Sequence, residues 1–272
     1  MHPPGRLRLR TMASAMIAAA AALLSLPMLA ATAFAATPGI TTTTSATTSS
    51  TTTTGTSGSA ATHPHPVTHP TKRTCTATVK HGFATCFAIQ RTDVAGHKGL
   101  FAASTTPSGY GPSQLDTAYN LPSASAGADE TVAIVDAYDD PTAEADLQVY
   151  RAQYGLPVCD SANGCFTKVD QDGSTNYPSP DPGWSTEISL DLDMVSAICP
   201  NCHILLVEAN DNSIANLGTA VDEAVTLGAK YVSNSYGGSE DPSELSSDSS
   251  YYNHPGVAVT ASSGDGGYGV EY

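Results

Sequence analysis

From residue 109 onward the chain alternates short β-branched apolar runs with longer amphipathic ones, and no other feature narrows its possible folds as much. Residues 131–136 (TVAIVD), 203–209 (HILLVEA), 229–235 (AKYVSNS) and 256–261 (GVAVTA) have the length and composition of buried strands. Helical spacing fills the intervals over residues 142–154, 186–198 and 213–227. Parallel strands need long crossover connections, and helices supply them. The pattern therefore predicts an α/β fold, a parallel sheet with helices on both faces. In such sheets the chemistry sits in loops that leave the carboxyl ends of strands. Three loops qualify: Ala137-Tyr138-Asp139-Asp140, Ser235-Tyr236-Gly237-Gly238, and Ser262-Ser263-Gly264-Asp265-Gly266-Gly267. Taken alone, an acidic residue among glycines reads as a turn.

The N-terminal region is of a different kind. Arg6, Arg8 and Arg10 precede an apolar stretch over residues 12–29, and Ala33-Phe34-Ala35 places small residues where a signal peptidase reads. Residues 1–35 are expected to be a secretory signal; an uncleaved anchor fits less well because the apolar run is Ala-rich and broken by Pro27. Residues 36–72, dominated by Thr, Ser and Pro, lack the apolar side chains that offset ordering entropy and read as a disordered linker. His63, His65 and His69 inside it have no Cys or carboxylate partners nearby, so metal binding there is a weak alternative. The expected location is secreted and extracellular, with no membrane association after signal cleavage. A formal charge of −15 repels phosphate backbones and anionic lipid, which excludes nucleic acid as a first choice of partner.

Six cysteines fall into three close couples, Cys75 with Cys86, Cys159 with Cys165, and Cys199 with Cys202. In an exported chain each couple is expected to oxidise within itself. Cys199-Pro200-Asn201-Cys202 also fits a redox or half-zinc motif, but it follows a helix and has no second CxxC to complete a zinc site. Residues 73–108 form a short cysteine-containing segment ahead of the α/β region.

The helix over residues 186–198 carries the clearest chemical signal. Glu187 and Asp191 are four apart, so both carboxylates project from one helical face, an unfavourable arrangement for like charges. Ile188, Leu192, Val195 and Cys199 mark one apolar stripe and Leu190, Met194 and Ala197 another, so the pair is flanked by core. Two carboxyls so placed tend to share a proton. The competing reading is an exposed acidic helix.

The E-x-x-x-D helix, the strand ending in Ser-Tyr-Gly-Gly and the Ser-Gly-Asp-Gly-Gly loop, in that order, resemble the sedolisins, or serine-carboxyl peptidases, which have a subtilisin-like fold. The resemblance covers residues 109–272 and implies a secreted, acid-acting endopeptidase with protein or peptide substrates. It assigns Glu187 as general base for a serine, Asp191 as its proton-sharing partner, and Asp265 as hydrogen-bond donor to the oxyanion. It assigns Ser235, Tyr236 and Gly237 to the substrate strand. A carboxyl base suits acid, and Asp265 donates only when protonated. The family's Ser-Gly-Thr-Ser nucleophile motif lies downstream of the oxyanion Asp and is absent from these 272 residues, with no G-x-S-x-G in its place. The expectation is a C-terminally truncated, N-terminal part of a peptidase domain, inactive as given. The family's calcium site is also C-terminal, so no metal or other cofactor is expected in this segment. The long folded propeptide common in the family has no room in residues 74–106. An ordinary Asp-His-Ser site would use Asp136, but the helix carries Glu187 where a His is required, and His203 and His254 lie elsewhere. Asp136, Asp139 and Asp140 read as a solvated loop, with calcium binding as the alternative. From another class, the chain could be a non-catalytic binding or surface protein on a peptidase fold. The expected oligomeric state is a monomer.

Overall fold

The structure, a computed structural model, describes residues 69–76, 79–93, 107, 109–240, 242–265 and 268–269. The expected signal peptide and nearly all of the expected linker, with His63 and His65, lie outside the described residues. The elements run β1 (Thr71–Arg73), β2 (Thr85–Cys86), β3 (Ile89–Arg91), α1 (Pro112–Tyr119), β4 (Thr131–Ala137), α2 (Ala143–Tyr154) and β5 (Phe166–Asp170). They continue α3 (Pro182–Ile198), β6 (His203–Ala209), α4 (Ile214–Thr226), β7 (Tyr231–Asn234), β8 (Tyr236–Gly237), α5 (Glu244–Ser247), a π-helical turn over Asp248–Tyr252, and β9 (Ala258–Ala261).

Five strands form one parallel sheet in the order β5-β6-β4-β7-β9. Helices cover both faces. On one, Ala133, Val135, Val207 and Val232 pack with Leu217, Val221 and Ala224 of α4. On the other, Ile134, Ile204 and Leu206 pack with Leu147 of α2 and with Ile188 and Leu192 of α3. Ile188 and Leu192 are fully buried, each worth about 1.5–3 kcal/mol, and they fix the rotation of α3 about its axis. The second stripe expected on α3 is incomplete, because Leu190 is 39% exposed.

Two departures from the sequence pattern have local causes. α3 begins at Pro182, four residues early, because the Asp181 carboxylate accepts from the Gly183 and Trp184 N–H groups (2.9 and 3.0 Å) and proline opens the first turn. β5 was hidden by Lys168 in its middle. The ammonium is ion-paired with Asp139 and, at 3.0 Å, with Glu208, and it lies 4.4 Å from the centre of the Tyr177 ring. Buried Arg151 ties α2 to the end of α3: Nε donates to Pro157 O (2.5 Å), Nη1 to Ser196 Oγ (3.0 Å) and Nη2 to Pro200 O (2.7 Å). Cys75–Cys86, Cys159–Cys165 and Cys199–Cys202 are disulfide-bonded, as the spacing predicts. Among the described residues no helix is long and apolar enough to cross a membrane.

Candidate active site

The carboxyl ends of β4, β7 and β9 share one edge of the sheet, and α3 brings Glu187 and Asp191 to it. Glu187 is buried, 4% exposed, and its Oε2 accepts the Ala88 N–H at 2.9 Å. Burial, then the neighbouring Asp191, push its carboxyl up to about 8. Asp191 is partly buried, with Oδ2 sealed from solvent and lacking a hydrogen-bond partner. Its carboxyl is pushed up to about 6 by burial, against the opposing hydrogen bond of Ser235. Exposed Asp265, at the tip of the loop after β9, raises both through its charge. The helix, the Ser-Tyr-Gly-Gly strand and the Asp265 loop are thus brought into electrostatic contact from three separate stretches of sequence.

One participant was not foreseen in this role. Asp136, the last acidic residue of β4, is fully buried, and neither carboxylate oxygen has a hydrogen-bond partner. Burial, then the charges of Asp191, Glu187 and Glu208, raise it well above the ordinary range. The parallel register sets it directly beside Glu208 on β6. The sequence signal was available, a carboxylate closing a buried strand. The expected solvated loop is corrected: Asp139 and Asp140 are also buried, at 9% and 2% exposure. Asp139 pairs with Lys168, while the Asp140 oxygens accept from Thr142 and Ser189.

Tyr236 and Gly237 are buried and Ser235 is half-buried. The Trp184 ring lies 6.3 Å from Tyr138 and 6.4 Å from Tyr236, joining the starts of α3 and β8 in an aromatic layer. Tyr138 has φ 65°, a strained conformation for a residue other than glycine, directly after β4. A cleft of about 720 Å³ adjoins β8, lined by Phe83, Tyr236, Gly237, Tyr251, Tyr252 and Thr260 among others.

Neither histidine supplies a base here. His203 contacts Gly164 O at 3.1 Å, and His254 contacts Asp222 at 3.1 Å. His69, from the suggested metal cluster, pairs instead with Asp93 at 2.7 Å. Among the described residues no group of three or more His, Cys, Asp or Glu is placed to hold a metal ion.

What the arrangement can do is store and move protons. Clustered buried carboxyls cannot all ionise, so Glu187 and Asp191 keep protons over a range in which exposed carboxyls have lost theirs. A neutral carboxyl on an exposed loop beside them can donate a hydrogen bond to a developing negative charge.

No protein-family model matches the chain. It is 30% identical over 177 residues to kumamolisin of Bacillus sp. (strain MN-32), covering 60% of this chain and 30% of that one. Among solved structures it is similar to Pseudomonas sedolisin, a serine-carboxyl proteinase complexed with two molecules of pseudo-iodotyrostatin. That likeness has 24% identity and a TM-score of 0.37, and it covers 46% of this chain and 34% of the other. The chain spans about a third of the length of these relatives.

Proposed function

On the premise that this chain is a relative of the sedolisins, we propose that it contributes the base and oxyanion elements of a secreted, acid-acting serine-carboxyl endopeptidase. The observation that carries the reading is the buried Glu187/Asp191 pair on α3, with Asp265 acting electrostatically on both. Glu187 takes the proton of an attacking serine hydroxyl and returns it to the leaving amine. Asp191 holds the second half of the shared proton. Protonated Asp265 donates to the oxyanion. Ser235, Tyr236 and Gly237 hold an extended protein or peptide substrate. The molecule works as a monomer, with no nucleic-acid or membrane partner.

The working range follows from two requirements. The pair must hold one proton and no more, since a second would leave no base, so with Asp265 ionised the values of about 6 and about 8 bound the window on both sides. Asp265 must be protonated, and in that state its charge no longer raises Glu187 and Asp191, so their window moves further into acid.

The 272 residues contain no Ser-Gly-Thr-Ser, and a base without a nucleophile forms no acyl-enzyme. The test is hydrolysis of a quenched-fluorescent peptide library from pH 3 to 8. The 272-residue chain should show no turnover. The same chain extended by a Ser-Gly-Thr-Ser segment, from the coding sequence that follows Tyr272 or from a relative, should cleave in acid and lose that activity with Glu187→Ala. Turnover by the unextended chain that Glu187→Ala abolishes would refute the missing-serine argument. A folded, extended chain that binds peptides and never cleaves them would favour a non-catalytic binding protein.

A further inference from the structure

A row of buried polar side chains crosses the face of the sheet that packs on α2 and α3, a face that is otherwise apolar. Side chains alternate along a strand, so Asp136 shares that face with Ile134, and Glu208 shares it with Ile204 and Leu206. The parallel register sets Asp136 beside Glu208, and neither is exposed. The charges of Asp191 and Glu187 on α3 act on Asp136, as does that of Glu208. Four oxygens of this row are sealed from solvent and lack a hydrogen-bond partner: both of Asp136, Oε2 of Glu208 and Oδ2 of Asp191. Lys168 ends the row. Its ammonium donates to Asp139 Oδ1 and to Asp140 O (2.7 Å), and it lies 3.0 Å from Glu208 Oε1, which also accepts the Asp140 N–H (2.9 Å). The remaining carboxylates nearby are engaged elsewhere. Asp140 accepts from Thr142 and Ser189, and Asp170, opposite Glu208 on β5, accepts from the N–H groups of Asp172, Ser174 and Asn176. Lys168 also lines a second cleft, of about 430 Å³, with Asp139, Glu144, Ser161 and Tyr177 among others.

We propose that Glu208 and Asp136 relay protons between the Glu187/Asp191 pair and solvent in the cleft beside Lys168. The inference rests on the reading of Glu187 and Asp191 as a pair that shares a proton. Glu187 is 4% exposed, and a peptide lying along β8 would cover it further, so a pair that must hold one proton needs a second route to solvent. Burial holds Asp136 well above the ordinary carboxylate range and pushes Glu208 up to about 8, so both stay neutral where exposed carboxyls are ionised. A neutral carboxyl can accept a proton on one oxygen and release one from the other. Because Glu208 Oε1 is spent on two donors, the proton of Glu208 sits on Oε2. Adjacent strands lie about 4.8 Å apart, a gap that a proton crosses directly or through one water. Inward, Lys168 gives an Nζ proton to Glu208 Oε1 as hydronium in the cleft restores it. The Glu208 Oε2–H bond breaks as an Asp136 oxygen gains that proton, and the other Asp136 oxygen passes its own to the ionised member of the pair. One hydronium becomes water and one carboxylate becomes a carboxyl, while Lys168, Glu208 and Asp136 keep their charges. Outward transfer is the reverse.

The test follows hydrogen–deuterium exchange of the carboxyl protons themselves. The 272-residue chain is diluted into D2O at a pD of about 6, where exposed carboxyls are ionised and buried neutral ones keep a separate infrared carbonyl band. The Glu187 component is the part of that band lost in Glu187→Gln. Two variants break the relay at different links, Glu208→Gln and Asp136→Asn. Glutamine keeps an oxygen for the Asp140 N–H and for Lys168, and an amide at 136 removes a buried acid without changing its size. In the parent, the Glu187 band should shift to its deuterated position long before the backbone amides of β4 and β6 exchange. In each variant that shift should slow at least about tenfold, while the strand amides keep the parent's protection. A Glu187 band that shifts as fast in either folded variant as in the parent would overturn the relay, because protons would then arrive from the substrate side. A parent band as slow as the strand amides would overturn it too. The absence of any neutral-carboxyl band that Glu187→Gln removes would instead overturn the shared-proton reading itself, which the exchange rates alone leave standing.

Discussion

Replacing Glu187 by Gln should stabilise the protein at neutral pH and flatten its stability profile through the weakly acidic range. The native carboxyl sits at about 8, against an ordinary value of 4.5. Between those values the native state keeps a proton that the unfolded chain releases, so this group's contribution is full below about pH 4.5 and is lost as pH rises toward 8. At pH 7 the accumulated loss is about 3 kcal/mol, since each pH unit is worth about 1.4 kcal/mol. Glutamine keeps an oxygen to accept the Ala88 N–H and has nothing to titrate. The variant should therefore match the parent within about 1 kcal/mol near pH 4.5 and exceed it by about 2–3 kcal/mol at pH 7. For a domain of this size that is roughly 5–10 °C in Tm. Urea titrations at fixed ionic strength, taken at half-unit steps between about pH 4.5 and 8, read the difference directly. Equal slopes for parent and variant, or a variant less stable at pH 7, would show that Glu187 carries no displaced proton equilibrium.

Arg151→Ala should cost about 3–5 kcal/mol in urea unfolding, because it opens a cavity and strands the acceptors of Pro157, Ser196 and Pro200; a loss under 1 kcal/mol would contradict the clamp. Leu192→Ala should cost about 2–5 kcal/mol by the same assay, since the side chain is wholly enclosed between α3 and the sheet. Peptide mapping without reduction should find Cys199 joined to Cys202, and free thiols or bound zinc at both would contradict it.

The alternation of period-2 and period-3.6 patterns was enough for the sheet and the helices on its faces, because burial on both sides leaves a continuous apolar run in each strand. β5 escaped the same logic. Its Lys168 reads as a surface residue until Asp139 and Glu208, distant in sequence, neutralise it. Glu187 and Asp191 were legible because an i, i+4 acidic pair beside Ile188 and Leu192 has no structural use. Asp136 as a member of that cluster was not, since its proximity depends on how α3 crosses β4. The pairing of β2 with β8 was illegible for a related reason: a two-residue strand has no periodicity, and its partner lies some 150 residues away, a separation plain from the paired Thr85 and Gly237.

The carboxylate mechanism itself is tested most directly by the pH profile of peptide hydrolysis by the serine-extended chain, beside its Asp265→Asn and Glu187→Gln variants. The account predicts a maximum in acid and no activity by about pH 8 for the parent. Asp265→Asn should keep part of the activity and lose the Asp265 limb of the profile, because an amide donates at any pH. Glu187→Gln should be inactive throughout. Best activity above neutrality, or full activity without Glu187, would contradict the mechanism.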